Sequence, residues 1–192
     1  MKPAEVIVKN NFVNLAQKGM VIWLFGLSGS GKTTISTLLK EKLENEGFFV
    51  TTLDGDVLRE GINKDLGFNE VDRAENIRRA AEIAKLMMLN NMITICSFIT
   101  PLEQHRALAA NIIGEHYFEV FLDCPLSICK ERDVKGLYKD ADLKLISNFT
   151  GVSAKFEPAI NAHLVIKTNT ESPLQSMNKL FLKIIPQIGP TS

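Results

Sequence analysis

The chain has 192 residues, 45% of them hydrophobic and 23% charged, with 22 Lys and Arg balancing 22 Asp and Glu. A single domain of this length buries roughly 70% of the surface its unfolded chain exposes, so its core needs no disulfide or metal staple. The even charge argues against a dedicated nucleic-acid binder, the apolar fraction argues against a disordered chain, and the longest apolar runs, Met20–Leu27 and Met92–Cys96, fall far short of the roughly 20 residues of a membrane span.

Met1–Gly19 is mixed and polar, with Lys2, Glu5, Lys9 and Lys18, and reads as an irregular or helical lead-in without the apolar stretch of a secretory signal. From there strand and helix patterns alternate. Met20–Phe25 is a continuous apolar run ending at Gly26, which suits a strand buried on both faces. Lys32–Glu46 carries Ile35, Leu38, Leu39 and Leu43 at helical spacing, and Gly47 is a natural stop. Phe48–Leu53 predicts a second strand, Glu70–Asn90 the longest helix, Met92–Phe98 a third strand, and Leu102–Glu115 a helix after Pro101. Tyr117–Leu122 predicts a fourth strand, Pro125–Glu131 a short helix, His163–Ile166 a fifth strand, and Pro173–Ile185 a closing amphipathic helix. Between them Asp133–Gly151 is rich in Lys and Asp and sits where a mobile flap belongs. The alternation implies right-handed βαβ units, hence one α/β domain over residues 1–192 with a five-stranded parallel sheet between helical layers. Cys96, Cys124 and Cys129 form no C-x-x-C, and His105, His116 and His163 show no metal-ligand spacing with them; reduced, buried thiols in a cytoplasmic protein are expected.

The chemistry begins at Gly26-Leu27-Ser28-Gly29-Ser30-Gly31-Lys32-Thr33, which satisfies G-x-x-x-x-G-K-[ST] between a buried strand and an amphipathic helix. Glycines let the backbone wrap a phosphate, successive N–H groups point inward, and the helix N-terminus adds its positive end. Gly26, Ser28, Gly29, Ser30, Gly31, Lys32, Thr33 and Thr34 are therefore the candidate nucleoside triphosphate-binding set (for ATP, by the resemblance given below), Lys32 bringing charge to the β- and γ-phosphates and Thr33 a hydroxyl to Mg²⁺. A Gly/Ser-rich turn alone does not explain a Lys directly after it.

Asp54-Gly55-Asp56-Val57-Leu58-Arg59 follows the second strand, where ligands of an open parallel sheet collect. Asp54 or Asp56 could act on Mg²⁺ or orient an acceptor hydroxyl, and Arg59 could clamp an anion; the bland alternative is an Asp-Gly surface turn. Arg73, Arg78 and Arg79 open the long helix. They either grip a phosphate-bearing acceptor or form a solvated face with Glu75 and Glu82 as partners, and chemistry alone leaves the two readings level.

The segments GLSGSGKTT, LDGDVLR, Ile62–Phe68 (INKDLGF), DRAENIRR, Ser97–Pro101 (SFITP), Lys135–Lys139 (KGLYK) and Asn148–Val152 (NFTGV) occur in the order and spacing of adenylylsulfate kinases. The chain resembles that family from about Val21 to the closing helix. The resemblance implies a three-layer α/β/α P-loop fold of nucleotide-kinase type, with a lid over about residues 133–151. It implies transfer of the ATP γ-phosphoryl to the 3′-hydroxyl of adenosine 5′-phosphosulfate, with Mg²⁺. It assigns Asp56, Arg59, Phe68, Arg73, Asn76, Ile99, Lys135, Gly136, Leu137, Phe149 and Thr150 to the sulfonucleotide, Phe68 and Phe149 as two faces around its adenine. Lys32, Asp56 and Asp54 would be catalytic, Asp56 acting on the 3′-hydroxyl. It further implies a homodimer and functional coupling to an ATP sulfurylase.

Three positions depart from the family. Thr100 replaces a serine associated with a phosphorylated intermediate, although direct in-line transfer is the simpler mechanism. Asp140-Ala141-Asp142 makes the lid less basic, and Phe156 replaces a tyrosine before Glu157. The alternatives are another small-molecule P-loop kinase, which leaves KDLGF, ENIRR and KGLYK unexplained, and a non-catalytic nucleotide-binding module.

Overall fold

The computed structural model describes residues 17–146, 148–159 and 161–189. Most of the predicted lead-in lies outside them. β1 (Met20–Phe25) occupies the centre of a five-stranded parallel sheet, between β3 (Ile93–Phe98) and β4 (Tyr117–Asp123), with β2 (Val50–Asp54) and β5 (Leu164–Lys167) at the edges, in the order β2-β3-β1-β4-β5. All six side chains of β1 are buried. The period of two in a strand explains this, because alternate residues serve opposite layers. Met20, Ile22 and Leu24 pack with Ile35, Leu39 and Leu43 of α1 (Lys32–Asn45) and with Met177, Leu180 and Ile184 of α7 (Pro173–Ile188). Val21, Trp23 and Phe25 pack with Ile77, Ala80, Ala81 and Ala84 of α3 (Glu70–Leu89) and with Ala109 and Ile113 of α4 (Glu103–Ile113). The expected three-layer α/β/α architecture is the one observed, and Cys96, Cys124 and Cys129 are free and buried within it.

Three elements differ from the sequence reading. Asp54-Gly55-Asp56 opens a short helix, α2 (Gly55–Glu60), because the Asp54 carboxylate accepts from the Asp56 amide and caps it. After α5 (Leu126–Arg132), the flap holds a helix, α6 (Leu137–Asp142), whose Tyr138 and Ala141 are buried. The Asp133 carboxylate accepts from the amides of Tyr138 and Lys139, both at 3.1 Å, and so nucleates α6. Helix α7 continues past Pro186 to Ile188. Pro186 costs the helix one amide-to-carbonyl bond, but the full burial of Ile188 and the bond its carbonyl accepts from the Lys18 amide at 3.1 Å hold the last turn in place.

Helix α7 also carries a capping box: the Ser172 side chain accepts from the Gln175 amide, and the Gln175 side chain accepts from the Ser172 amide. Ser172→Ala is expected to lower stability by about 1 kcal/mol. In urea the midpoint should fall with the denaturant slope unchanged.

Candidate active site

The carboxyl ends of the strands open onto a cleft of about 1070 Å³ that contains most of the residues singled out above. Its floor is the turn from β1 into α1. Gly29 and Gly31 hold φ of +75° and +95°, conformations that a side chain resists. A Cβ at Gly29 would also lie 2.9 Å from the Cys129 carbonyl oxygen, so this glycine serves both the turn and the packing of α5 beneath it. Ser28, Gly29, Gly31, Lys32, Thr33 and Thr34 line the cleft, whereas Gly26 and Ser30 stand behind the loop. The Ser30 hydroxyl is fully buried, close enough that a Cβ at Gly26 would meet it at 2.8 Å.

Lys32 folds back over its own loop, donating to the carbonyls of Gly26 at 3.0 Å and Leu27 at 2.8 Å. Burial brings its ammonium down to about 8 from the ordinary lysine value, and the carboxylates of Asp54 and Asp56 offset part of that effect. Thr33 donates to the second oxygen of Asp54 at 3.4 Å. A hydroxyl and a carboxylate therefore face the cleft side by side from α1 and the end of β2. Asp56, one turn further on, is mostly exposed and hydrogen-bonded by the lid residue Lys135, which raises the lysine's pKa.

The opposite wall comes from α2, α3 and the loop between them. The Arg59 guanidinium lies 4.3 Å from the centre of the exposed Phe68 ring and donates to the carbonyls of Leu66 and Gly67. Arg73 approaches the same ring at 5.7 Å and donates to the carbonyls of Phe68 and Asn148. Burial lowers both guanidinium pKa values, and the charge of Arg59 depresses Arg73 further. Asn76 is buried, and its side-chain oxygen accepts from Asn63 at 2.9 Å. The three arginines of α3 divide between the two readings. Arg73 faces the cleft, whereas Arg78 and Arg79 both pair with Glu75, and Arg79 also makes a two-pronged contact with Asp65. These bonds bring the Glu75 carboxyl down to about 2. Among the described residues Glu82 makes no ion pair with either.

Ile99, Thr100, Lys135 and Leu137 also line the cleft; Gly136, Phe149 and Thr150 do not. Phe149 is buried edge-on against Tyr138, 5.0 Å between ring centres, in a small cluster with Leu27 and Cys129. It does not face Phe68 in this structure. Thr150 is buried with its hydroxyl unpartnered. Thr100 is 1% exposed and its hydroxyl accepts from the Trp23 indole at 2.9 Å. The Tyr138 hydroxyl reaches the Ser28 carbonyl at 3.0 Å, fastening the lid helix to the loop. The departures in the lid have structural counterparts: Asp142 pairs with Lys130 at 2.9 Å, Phe156 stacks on Phe121, and Glu157 accepts from the Glu103 amide at 2.7 Å.

The sequence reading missed one end of the cleft. Arg132 donates to the Gly29 carbonyl at 3.2 Å and the Thr168 carbonyl at 2.7 Å, joining the loop to the Thr168–Pro173 segment between β5 and α7. The signal available was Arg132-Asp133 at the flap's start, but arginine alone does not distinguish a strap from a solvated side chain.

A Gly-rich loop wrapping a half-buried lysine, on a parallel sheet ordered β2-β3-β1-β4-β5 and faced by a cationic wall and a lid, is the arrangement of P-loop nucleotide kinases. The sequence profile described as adenylylsulphate kinase matches residues 18–167, and the chain belongs to that family. It is 46% identical to an adenylyl-sulfate kinase of Halothermothrix orenii, over 85% of this chain and 88% of that one. It is also 51% identical to the bifunctional enzyme NodQ of Rhizobium tropici, over 90% of this chain but 26% of NodQ. Its fold superposes on the APS kinase of Mycobacterium tuberculosis, solved with AMPPNP and APS, with a TM-score of 0.84 and 38% identity, covering 87% of this chain and 98% of the other. The function is accordingly that of an ATP-dependent kinase of adenylylsulfate.

The lowered pKa of Lys32 has a measurable consequence. Phosphates favour the charged amine, so a site empty above pH 8 must take up a proton to bind ATP. ATP affinity is expected to fall as pH rises through about 8, with uptake approaching about one proton. Titration calorimetry in two buffers of different ionisation enthalpy measures this uptake. Lys32→Arg, charged throughout, should abolish it.

Proposed function

We propose that the two walls divide the substrates. Gly29–Thr34 take the ATP phosphates, and Asp56, Arg59, Phe68, Arg73, Asn76 and Ile99 take adenosine 5′-phosphosulfate. The observation that carries the reading is a phosphate cradle facing two arginines that have no ion pair with a carboxylate among the described residues, across one cleft. Two guanidiniums sharing one aromatic ring without a carboxylate between them form a site for an anion joined to a flat base. Arg132 and the Thr168–Pro173 segment enclose the remaining end, where the base of ATP extends from its phosphates.

The residues fit Mg²⁺. Thr33 and Asp54 offer only oxygen, the donor type this ion takes, and two protein ligands suffice when phosphates and water fill the other positions. Bound there, Mg²⁺ would neutralise charge on the β- and γ-phosphates.

The chain's own groups supply the rest. Lys32 exchanges two loop carbonyls for phosphate oxygens and stabilises the charge on the moving phosphoryl. Asp56 accepts the proton of the acceptor 3′-hydroxyl or fixes its lone pair in line. Its carboxylate is held by Lys135, an exposed pair of the kind worth only ~0.2–1 kcal/mol, so the hydroxyl displaces the lysine at little cost. Arg59 and Arg73 fix the phosphosulfate, converting an encounter into an aligned one. The lid, fastened by Tyr138, excludes water that would otherwise accept the phosphoryl. Thr100, committed to Trp23 and buried, is left out of the transfer. A homodimer, a cytoplasmic location and functional coupling to an ATP sulfurylase complete the reading, supported by the family resemblance.

Two measurements test it. ADP release with Mg²⁺ and ATP should depend on adenosine 5′-phosphosulfate and yield a 3′-phosphorylated nucleotide; Lys32→Ala should cut turnover by orders of magnitude with the fold retained. ADP release indifferent to the acceptor would sink the assignment. Arg59→Ala should raise the acceptor KM and leave that of ATP nearly unchanged. A rise confined to ATP would place Arg59 on the wrong wall.

A further inference from the structure

Behind Ile99 lies a buried polar cluster to which the phosphate loop and the acceptor wall contribute nothing. Arg106, on α4, is 5% exposed. Its Nε lies 3.4 Å from a carboxylate oxygen of Glu119 on β4, and its guanidinium sits 4.9 Å from the centre of the Phe25 ring on β1. One terminal nitrogen, Nη1, donates to two carbonyls, that of Glu157 at 2.9 Å and that of Thr100 at 3.4 Å.

Thr100 needs such support. It holds φ at +40°, an unfavourable value for a β-branched residue, directly before Pro101. A strained residue persists only where its surroundings over-determine it. Here the Trp23 indole holds the Thr100 hydroxyl, the Glu157 amide donates to the Pro101 carbonyl at 2.8 Å, and Arg106 holds the Thr100 carbonyl. Arg106 also ties that loop to Glu157, where the chain returns from the lid.

We propose that Arg106 is a positioning residue for the phosphoryl acceptor: by clamping the carbonyls of Thr100 and Glu157 from the core, it fixes the loop that carries Ile99 into the cleft. It touches neither substrate. The fork of arginine is required, because the single nitrogen of lysine cannot face Glu119, as Nε does, and at the same time hold the two carbonyls that Nη1 holds. The proposal rests on placing the acceptor beside Ile99.

Steady-state kinetics of the full chain with both substrates test it, with thermal melts as the control for folding. Arg106→Lys is expected to raise the acceptor KM about tenfold and to change the ATP KM less than about twofold, since a small misplacement of one reactant costs this much. Arg106→Ala should do the same, and guanidinium at low millimolar concentration should restore part of the acceptor affinity. A merely structural arginine would lower the melting temperature and the active fraction while leaving both KM values in place. An unchanged acceptor KM in folded Arg106→Lys overturns the proposal. Should neither Arg106 variant fold, Glu119→Gln keeps the guanidinium and removes its charged anchor; a smaller rise in acceptor KM supports the proposal, and none overturns it. Wild-type protein with no acceptor-dependent turnover would instead overturn the substrate assignment, and this proposal with it.

Discussion

An ammonium group withdrawn from water is the constraint around which this molecule is arranged. Lys32 stands half-buried at the foot of α1, and drawing a charge even partly out of water is costly unless it finds partners. The loop answers with two of its own carbonyls, from Gly26 and Leu27. The loop takes this path with Gly29 and Gly31 at backbone angles that other residues adopt only under strain, and α5 lies against Gly29 while Tyr138 grips Ser28. The carbonyls are weaker partners than a polyphosphate. The contacts of Lys32 are therefore strong enough to fold the loop and weak enough to be exchanged.

The far wall has the same logic with the signs arranged differently. Arg59 and Arg73 share the Phe68 ring and spend their donors on backbone carbonyls, whereas Arg78 and Arg79, a turn or two along the same helix, are neutralised by Glu75 and Asp65. One helix thus supplies a cation to the cleft from its first turns and a self-satisfied surface beyond. The cations facing the cleft from this wall are the ones without carboxylate partners among the described residues, and the lid contributes its own cation, Lys135, paired with Asp56.

Much of this was legible in the sequence, because the relevant signals are local. A buried strand, a glycine turn and an amphipathic helix are each written in consecutive residues, and β1, α1, α3 and a parallel sheet follow from them; the order of the strands does not, because pairing is decided between segments far apart in the chain. The lid helix was less legible: its start is fixed by Asp133 bonding to amides five and six residues on, within a stretch whose composition reads as loop. Helix α2 was hidden likewise, since Asp-Gly-Asp signals a turn as readily as a cap. Phe149 shows the opposite limit. Its motif identifies it with the acceptor, but in this structure its ring is held by Tyr138 and Leu27, a tertiary preference that no pattern of neighbours encodes. Arg132 and Arg106 act across 36 and 51 residues of chain, which is why spacing gave no hint of what they tie together.

The chain has one tryptophan, and it is fully buried with its indole N–H committed to Thr100. Its ring also stacks on Phe98, whose strand leads into the same loop. The only strong fluorophore of the protein is therefore wired to the Ile99–Pro101 segment that lines the cleft and lies on the opposite face of the sheet from α1 and α7. Its emission colour and its lifetime are an optical record of that one segment, written by the molecule without a label, and they separate events there from those at the glycine-rich loop.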